Sequence, residues 1–215
     1  MTTWFQGPCG GPRVGVDSDG SFIVEGSGRP AHPVNAAVDS FEASIRRWAS
    51  EYGVPAHVVA GVMMRESRGI QSILGHDPGG SVGVGLMQLT SAGAKEGHST
   101  EELVANADLN IQLGVKLLGF FWRKYGGDPI RSLTSYNAGS PRCRDGANPW
   151  NLVNTSDYVG GVLALANGAL DGAFKPKTAV ASMLGPGALL LALGGLGGWY
   201  AFDWLKRSTF RGVFC

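Results

Sequence analysis

Between residues 39 and 170 apolar side chains recur at helical spacing, in segments closed by glycine and opened by capping residues, and this pattern limits the chain to helix-on-helix packing. Asp39 with Glu42 reads as a capping box, and Phe41, Ile45, Trp48 and Tyr52 share one face up to Gly53. Pro55 suits the first turn of the next helix, whose buried stripe is Val58, Val59, Val62 and Met63. Ser99 with Glu102 forms a second capping box. It opens a long helix to Tyr125 with Leu109, Leu113, Leu117, Phe120 and Phe121 on its apolar side, stopped by Gly126-Gly127. Asp128-Pro129 starts a short helix that ends at Gly139, and residues 156–170 read as a last core helix. Residues 69–98 read as loop, rich in Gly, Ser and His.

The flanks differ from this middle. Residues 1–38 are rich in Gly and Pro, with Val14, Val16, Phe22 and Val24 alternating around Asp17-Ser18-Asp19-Gly20. That pattern suits either a small hairpin closed by an Asp-Gly turn or an ordered arm around the core. Residues 173–215 read as a linker followed by a hydrophobic helix. No charge occurs in residues 179–202, Trp199, Tyr200 and Trp204 cluster at the far end, and Lys206, Arg207 and Arg211 follow. A membrane span contacting lipid through residues 179–204 fits these features, and Gly194 with Gly198 would let another helix pack closely. Gly185-Pro186-Gly187 interrupts the run, so a buried or interfacial helix stays open.

Eighteen basic against 17 acidic residues leave a net charge of +1, and no Lys/Arg-rich run marks a nucleic-acid stripe, so no nucleic-acid partner is expected. Cys9, Cys143 and Cys215 make no closed framework; a Cys9–Cys143 bridge and free thiols both remain open. His32, His57, His76 and His98 lack metal-binding spacing, and neither metal nor cofactor is expected. The start, Met-Thr-Thr-Trp-Phe-Gln-Gly-Pro, does not read as a secretory signal.

Glu66 carries the chemistry. It follows Val62 by four residues and Met63 by three, which places its carboxylate at the end of a buried stripe. An acid there loses hydration, so its pKa should rise, as suits a general acid at neutral pH. A carboxylate paired with Arg65 or Arg68 is the other reading of the same position.

Three short runs weigh on that choice: Met64-Arg65-Glu66-Ser67-Arg68, Gly85-Leu86-Met87-Gln88-Leu89 and Tyr136-Asn137-Ala138-Gly139, with Asn110-Ile111-Gln112-Leu113-Gly114 between the last two. In this order the runs resemble the motifs of the soluble, lysozyme-like lytic transglycosylases, over about residues 40–170. Ile70 and Thr90-Ser91 depart from that pattern. The resemblance implies an all-α, lysozyme-like fold over residues 39–172 and cleavage of the bond between N-acetylmuramic acid and N-acetylglucosamine in peptidoglycan. Glu66 would be the single acid and base, closing a 1,6-anhydro ring with help from the substrate's N-acetyl group, unlike paired-carboxylate glycosidases. Ser67, Met87, Gln88, Tyr136 and Asn137 would contact substrate, Asn137 also suiting backbone capping at a helix end. Asp77 as a second carboxylate would instead give a hydrolytic muramidase, and a non-catalytic wall-binding module stays a third reading. A wall substrate, an apolar tail and no secretory start together point to a phage virion protein that opens the wall from outside, with a bacterial envelope enzyme as the alternative.

Overall fold

The computed structural model describes residues 1–76, 81–146, 148–153 and 157–175. The apolar run of residues 179–202 and Asp77 lie outside the described residues. Contacts divide the chain into Met1–Pro176 and Lys177–Cys215, and the described residues all belong to the first unit.

That unit is mainly helical. Its central element is α3 (Ala56–Ser67), whose Val58, Val59, Val62 and Met63 are fully buried as the stripe predicts. It packs on α8 (Tyr158–Asp171) so closely that a Cβ on Gly61 would lie 2.9 Å from the Val162 carbonyl and the Ala166 nitrogen. Around this pair stand α1 (Ala36–Asp39), α2 (Glu42–Tyr52), α4 (Ala92–Lys95), α5 (Thr100–Ala105), α6 (Ala107–Lys124) and α7 (Pro129–Ala138). Strands β1 (Thr3–Phe5), β2 (Val14–Val16) and β3 (Phe22–Val24) make one antiparallel sheet; β4 (Leu74–His76) and β5 (Val82–Val84) make another. The fold is therefore mostly helical rather than all-α.

Several expectations change in detail. Asp39 does not cap α2: Asn35 caps α1 through Val38 N–H, so Asp39 ends that single turn, and Glu42 instead bonds Arg46 one turn on (2.6 Å). Ser99 caps as expected, accepting from Glu102 N–H, but the helix behind it breaks at Asn106. Asn106 adopts extended backbone and caps α6 by accepting from Leu109 N–H (3.1 Å), a second start signal inside what reads as one helix. Of the expected apolar side of α6, Leu113 and Phe121 are buried, joined by Asn110, Ile111, Gly114, Val115 and Leu118, while Phe120 is 52% exposed. The expected loop of residues 69–98 contains the β4–β5 hairpin; paired Gly75 and Gly83 carry no pattern that would reveal it. Asp128 caps α7 with Pro129 at its first position, as predicted.

The N-terminal segment is both hairpin and arm. Val14 pairs Val24 and Val16 pairs Phe22, with β1 added on the outer edge. Buried Asn167 of α8 fastens it, accepting from Phe22 N–H (2.8 Å) and donating to the Phe22 (2.8 Å) and Pro30 (2.7 Å) carbonyls. Cys9 and Cys143 form a disulfide. No helix among the described residues is long and apolar enough to cross a membrane.

Candidate active site

Glu66 is half-buried and next to last in α3. The helix stops where Arg68 turns left-handed (φ +55°), and Ser67 seals the end: its hydroxyl donates to the Met63 carbonyl and accepts from Gly69 N–H, each at 3.1 Å. Gly69 (φ +77°) lies so close to α1 that a Cβ would meet the backbone between Ala37 and Val38 at 2.9 Å. The catalytic candidate is thus fixed by a helix end packed on both sides. Tyr158, the first residue of α8, donates its phenol to Glu66 Oε1 at 2.5 Å, and the Arg65 guanidinium lies over the Tyr158 ring at 5.9 Å.

Residues 85–89 form a tight turn held by α6. Asn110, fully buried, accepts from Met87 N–H (2.9 Å) and donates to the Val84 carbonyl (3.0 Å). Gly85 has φ +70°, and a Cβ there would sit 2.5 Å from Asn110 Nδ2. One turn along α6, Gly114 makes room for Met87, whose side chain a Cβ would strike at 2.3 Å. The Asn110–Gly114 pair is therefore a single cradle: one residue bonds the turn's backbone and the other receives its side chain.

From α7, Tyr136 donates its phenol to the Met87 carbonyl at 2.7 Å. Burial first, and the Glu66 charge second, hold the Tyr136 and Tyr158 phenols well above the usual tyrosine range. Both stay neutral donors at ordinary pH. Gly139 (φ +75°) then ends α7.

The structure brings Glu66, Tyr136 and the Met87 backbone together. Ser67 and the Met87 side chain are buried, the first closing α3 and the second filling the α6 cradle. Gln88 (φ +48°) donates to the Gly85 carbonyl (2.8 Å) and reaches the Ile73 carbonyl (3.4 Å), with Oε1 against Gly75 and Gly83. It braces the β4–β5 hairpin on the turn. Asn137 is exposed near the end of α7. Tyr158 is the residue that sequence reasoning missed, and its signal is slight: one hydroxyl in the first turn of a mostly apolar helix. Among the described residues no group of three His, Cys, Asp or Glu side chains could hold a metal.

Residues 43–148, which hold all three motifs and Asn110, match the transglycosylase SLT domain family. This part of the chain is similar to an SLT-type transglycosylase domain. The lytic transglycosylase Slt of Pseudomonas aeruginosa, solved as an inactive mutant, shares its fold at 24% identity and a TM-score of 0.50, covering 60% of this chain and 24% of that one. The 70 kDa soluble lytic transglycosylase of Escherichia coli aligns at 21% identity and a TM-score of 0.46, covering 61% and 24%. The chain thus spans about a quarter of the length of either structure. No curated protein matches the chain. Tyr158 and the N-terminal arm lie outside the matched residues, so Glu66 takes a hydrogen bond from a helix beyond the matched segment.

Proposed function

We propose that this chain is a peptidoglycan lytic transglycosylase with Glu66 as its single acid and base. The observation that carries the reading is the setting of Glu66: the end of a buried helix inside an SLT-type domain, its carboxyl oriented by Tyr158 and facing the Tyr136 side of the site.

Glu66 in its acid form gives a proton to the glycosidic oxygen between N-acetylmuramic acid and N-acetylglucosamine, and that bond breaks. The positive charge left at the muramic C1 is stabilised by the sugar's own N-acetyl group. The carboxylate then takes the proton of the C6 hydroxyl as its oxygen bonds C1, which closes the 1,6-anhydro ring and restores the acid. No water is consumed and no second carboxylate takes part, so the spacing rule for paired-carboxylate glycosidases does not apply. Tyr158 limits the rotamers of Glu66, a contribution of orientation rather than proton transfer. Tyr136 and the exposed Asn137 border the sugars. Ser67, Met87 and Gln88 shape the site from behind, as their satisfied hydrogen bonds and burial suggest.

The finer setting is also a proposal: local opening of the wall by a virion protein as a phage genome enters, with residues 179–204 in lipid and Gly194 and Gly198 against another helix. The charge-free run and its aromatic, basic flank support it. Abundance of the chain in membranes of uninfected cells, with none in purified virions, would sink that setting.

Mass spectrometry of digested peptidoglycan tests the reaction. Anhydro ends, lighter by one water than hydrolysed ends, are expected. Hydrolysed ends alone would make the enzyme a muramidase.

A further inference from the structure

Residues 6–12 of the N-terminal arm grip the far side of α7 and the loop that follows it. The Gln6 carbonyl accepts from Arg131 Nη1 in the first turn of α7 (3.2 Å). Gly7 is buried between Ile130 and Trp150, where a Cβ would come within 3.3 and 3.4 Å of their side chains. Gly11 (φ +81°) lies so near the loop that a Cβ would be 2.3 Å from the Pro149 carbonyl oxygen. The Pro12 carbonyl accepts from the indole N–H of buried Trp150 (2.8 Å). In the middle of these contacts the Cys9–Cys143 disulfide joins positions 134 residues apart in sequence, with Cα atoms 5.4 Å apart.

The gripped segment is the one that carries Tyr136. Glu66 and Tyr158 stand on α3 and α8, outside it. We propose that residues 6–12 are a strap that positions α7, and through it Tyr136 against the Met87 carbonyl, so that turnover depends on the Cys9–Cys143 bond being intact. This rests on the function proposed above. Cys143 is exposed, so a small dithiol can reach it. Thiol–disulfide exchange would break the S–S bond, form thiols at Cys9 and Cys143, and oxidise the dithiol to its own disulfide, two electrons and two protons passing to the protein. Glu66 and its tyrosine would then remain in place while Tyr136 loses its outer support. Such an enzyme is folded but slow, and works at full rate only in oxidising surroundings.

The experiment compares the full chain oxidised, reduced with dithiothreitol and reoxidised, reading hydrogen exchange across Pro129–Ala138 and steady-state digestion of peptidoglycan. Reduction should speed exchange in α7 more than in α3 and lower kcat by about tenfold or more, with KM changing less, since small misplacements at a site are costly. Reoxidation should restore both. The Cys9→Ala/Cys143→Ala variant should match the reduced enzyme and ignore dithiothreitol, which excludes an effect through Cys215. Gly11→Ala keeps the disulfide but pushes the strap off the loop, and should slow turnover in the same direction even if the reduced chain unfolds. Unchanged kcat in the reduced enzyme and in Gly11→Ala would overturn the proposal, whether or not exchange quickens. Should the oxidised wild type digest no peptidoglycan, the functional reading falls, and exchange in α7 alone decides the strap.

Discussion

Residues 85–89 and the loop that begins at residue 140 both connect to Tyr136, one through its hydrogen bond to the Met87 carbonyl and the other through the chain, yet they are held by different means. The first is held from within. Asn110 satisfies a backbone donor and a backbone acceptor, Gly114 receives Met87, and Gln88 braces the hairpin, all from elements that belong to the core. The second has a bridge of its own, Cys143 to Leu152, and an Asn148 that bonds Trp150 and Leu152. It is also held from outside, by an arm whose own place depends on a disulfide, a tryptophan indole and buried Asn167. Buried polar cradles and covalent straps fail under different insults. A cradle fails when a side chain is changed and is indifferent to redox conditions. A strap fails when a single bond is reduced.

The largest expected effect on stability comes from the strap. Removing Cys9 and Cys143 frees the unfolded chain from a closed loop of 134 residues, which should lower the free energy of unfolding by about 2–5 kcal/mol. Urea titration of oxidised and double-variant protein measures it, and a difference within error would show that the arm is held by its other contacts alone.

Next comes the cradle. Asn110→Ala orphans the Met87 N–H in the interior, at about 1–3 kcal/mol, while the Val84 carbonyl still accepts from Leu89 N–H (3.2 Å). The same titration should find this loss equally in oxidised and reduced protein. A loss seen only in one redox state would erase the distinction between the two regions.

The smallest effect is pH-dependent. His57 is buried on α3, and its Nε2 meets the Gly20 carbonyl at 3.0 Å, which ties the β2–β3 turn to the core. Desolvation holds its pKa below the ordinary histidine value, against weaker opposite pulls from the Gly20 hydrogen bond and Asp19. A lowered folded pKa means that the unfolded chain takes the proton first. The stabilisation is therefore present above the unfolded value, near 6.5, and is lost as pH falls from there toward the folded value. Melting curves between pH 7 and about 4.5 should lose stability at no more than about 1.4 kcal/mol per pH unit from this group, and His57→Gln should flatten that slope.

The part of this comparison that was legible in the sequence is the part built from local signals. The α3 stripe, the Ser99 and Asp128 caps, the Gly53 and Gly139 stops and the hairpin around residues 17–20 all follow from spacing and backbone preference, and the structure contains them. Glu66 was legible as a candidate: helical geometry puts it at the end of that stripe but leaves an ion pair open, and the three motifs favour the acid. What stayed hidden depends on contacts distant in sequence. Tyr158 meets Glu66 across 92 residues, and Asn110 meets Met87 across 23. The Asn106 break was visible only as one more asparagine, because its capping role emerges when the chain turns there. The disulfide was one of two open readings, since a spacing of 134 residues carries no geometric information before the arm is placed.

Whether this frame serves catalysis rests on one side chain. Glu66→Gln keeps the size of the residue and an oxygen that can accept from Tyr158, but it cannot give or take the proton. A zymogram of peptidoglycan, run with wild type and Glu66→Gln chains shown by circular dichroism to melt alike, should give clearing for the wild type and none for the variant. Equal clearing by both would contradict the assignment of Glu66 as acid and base.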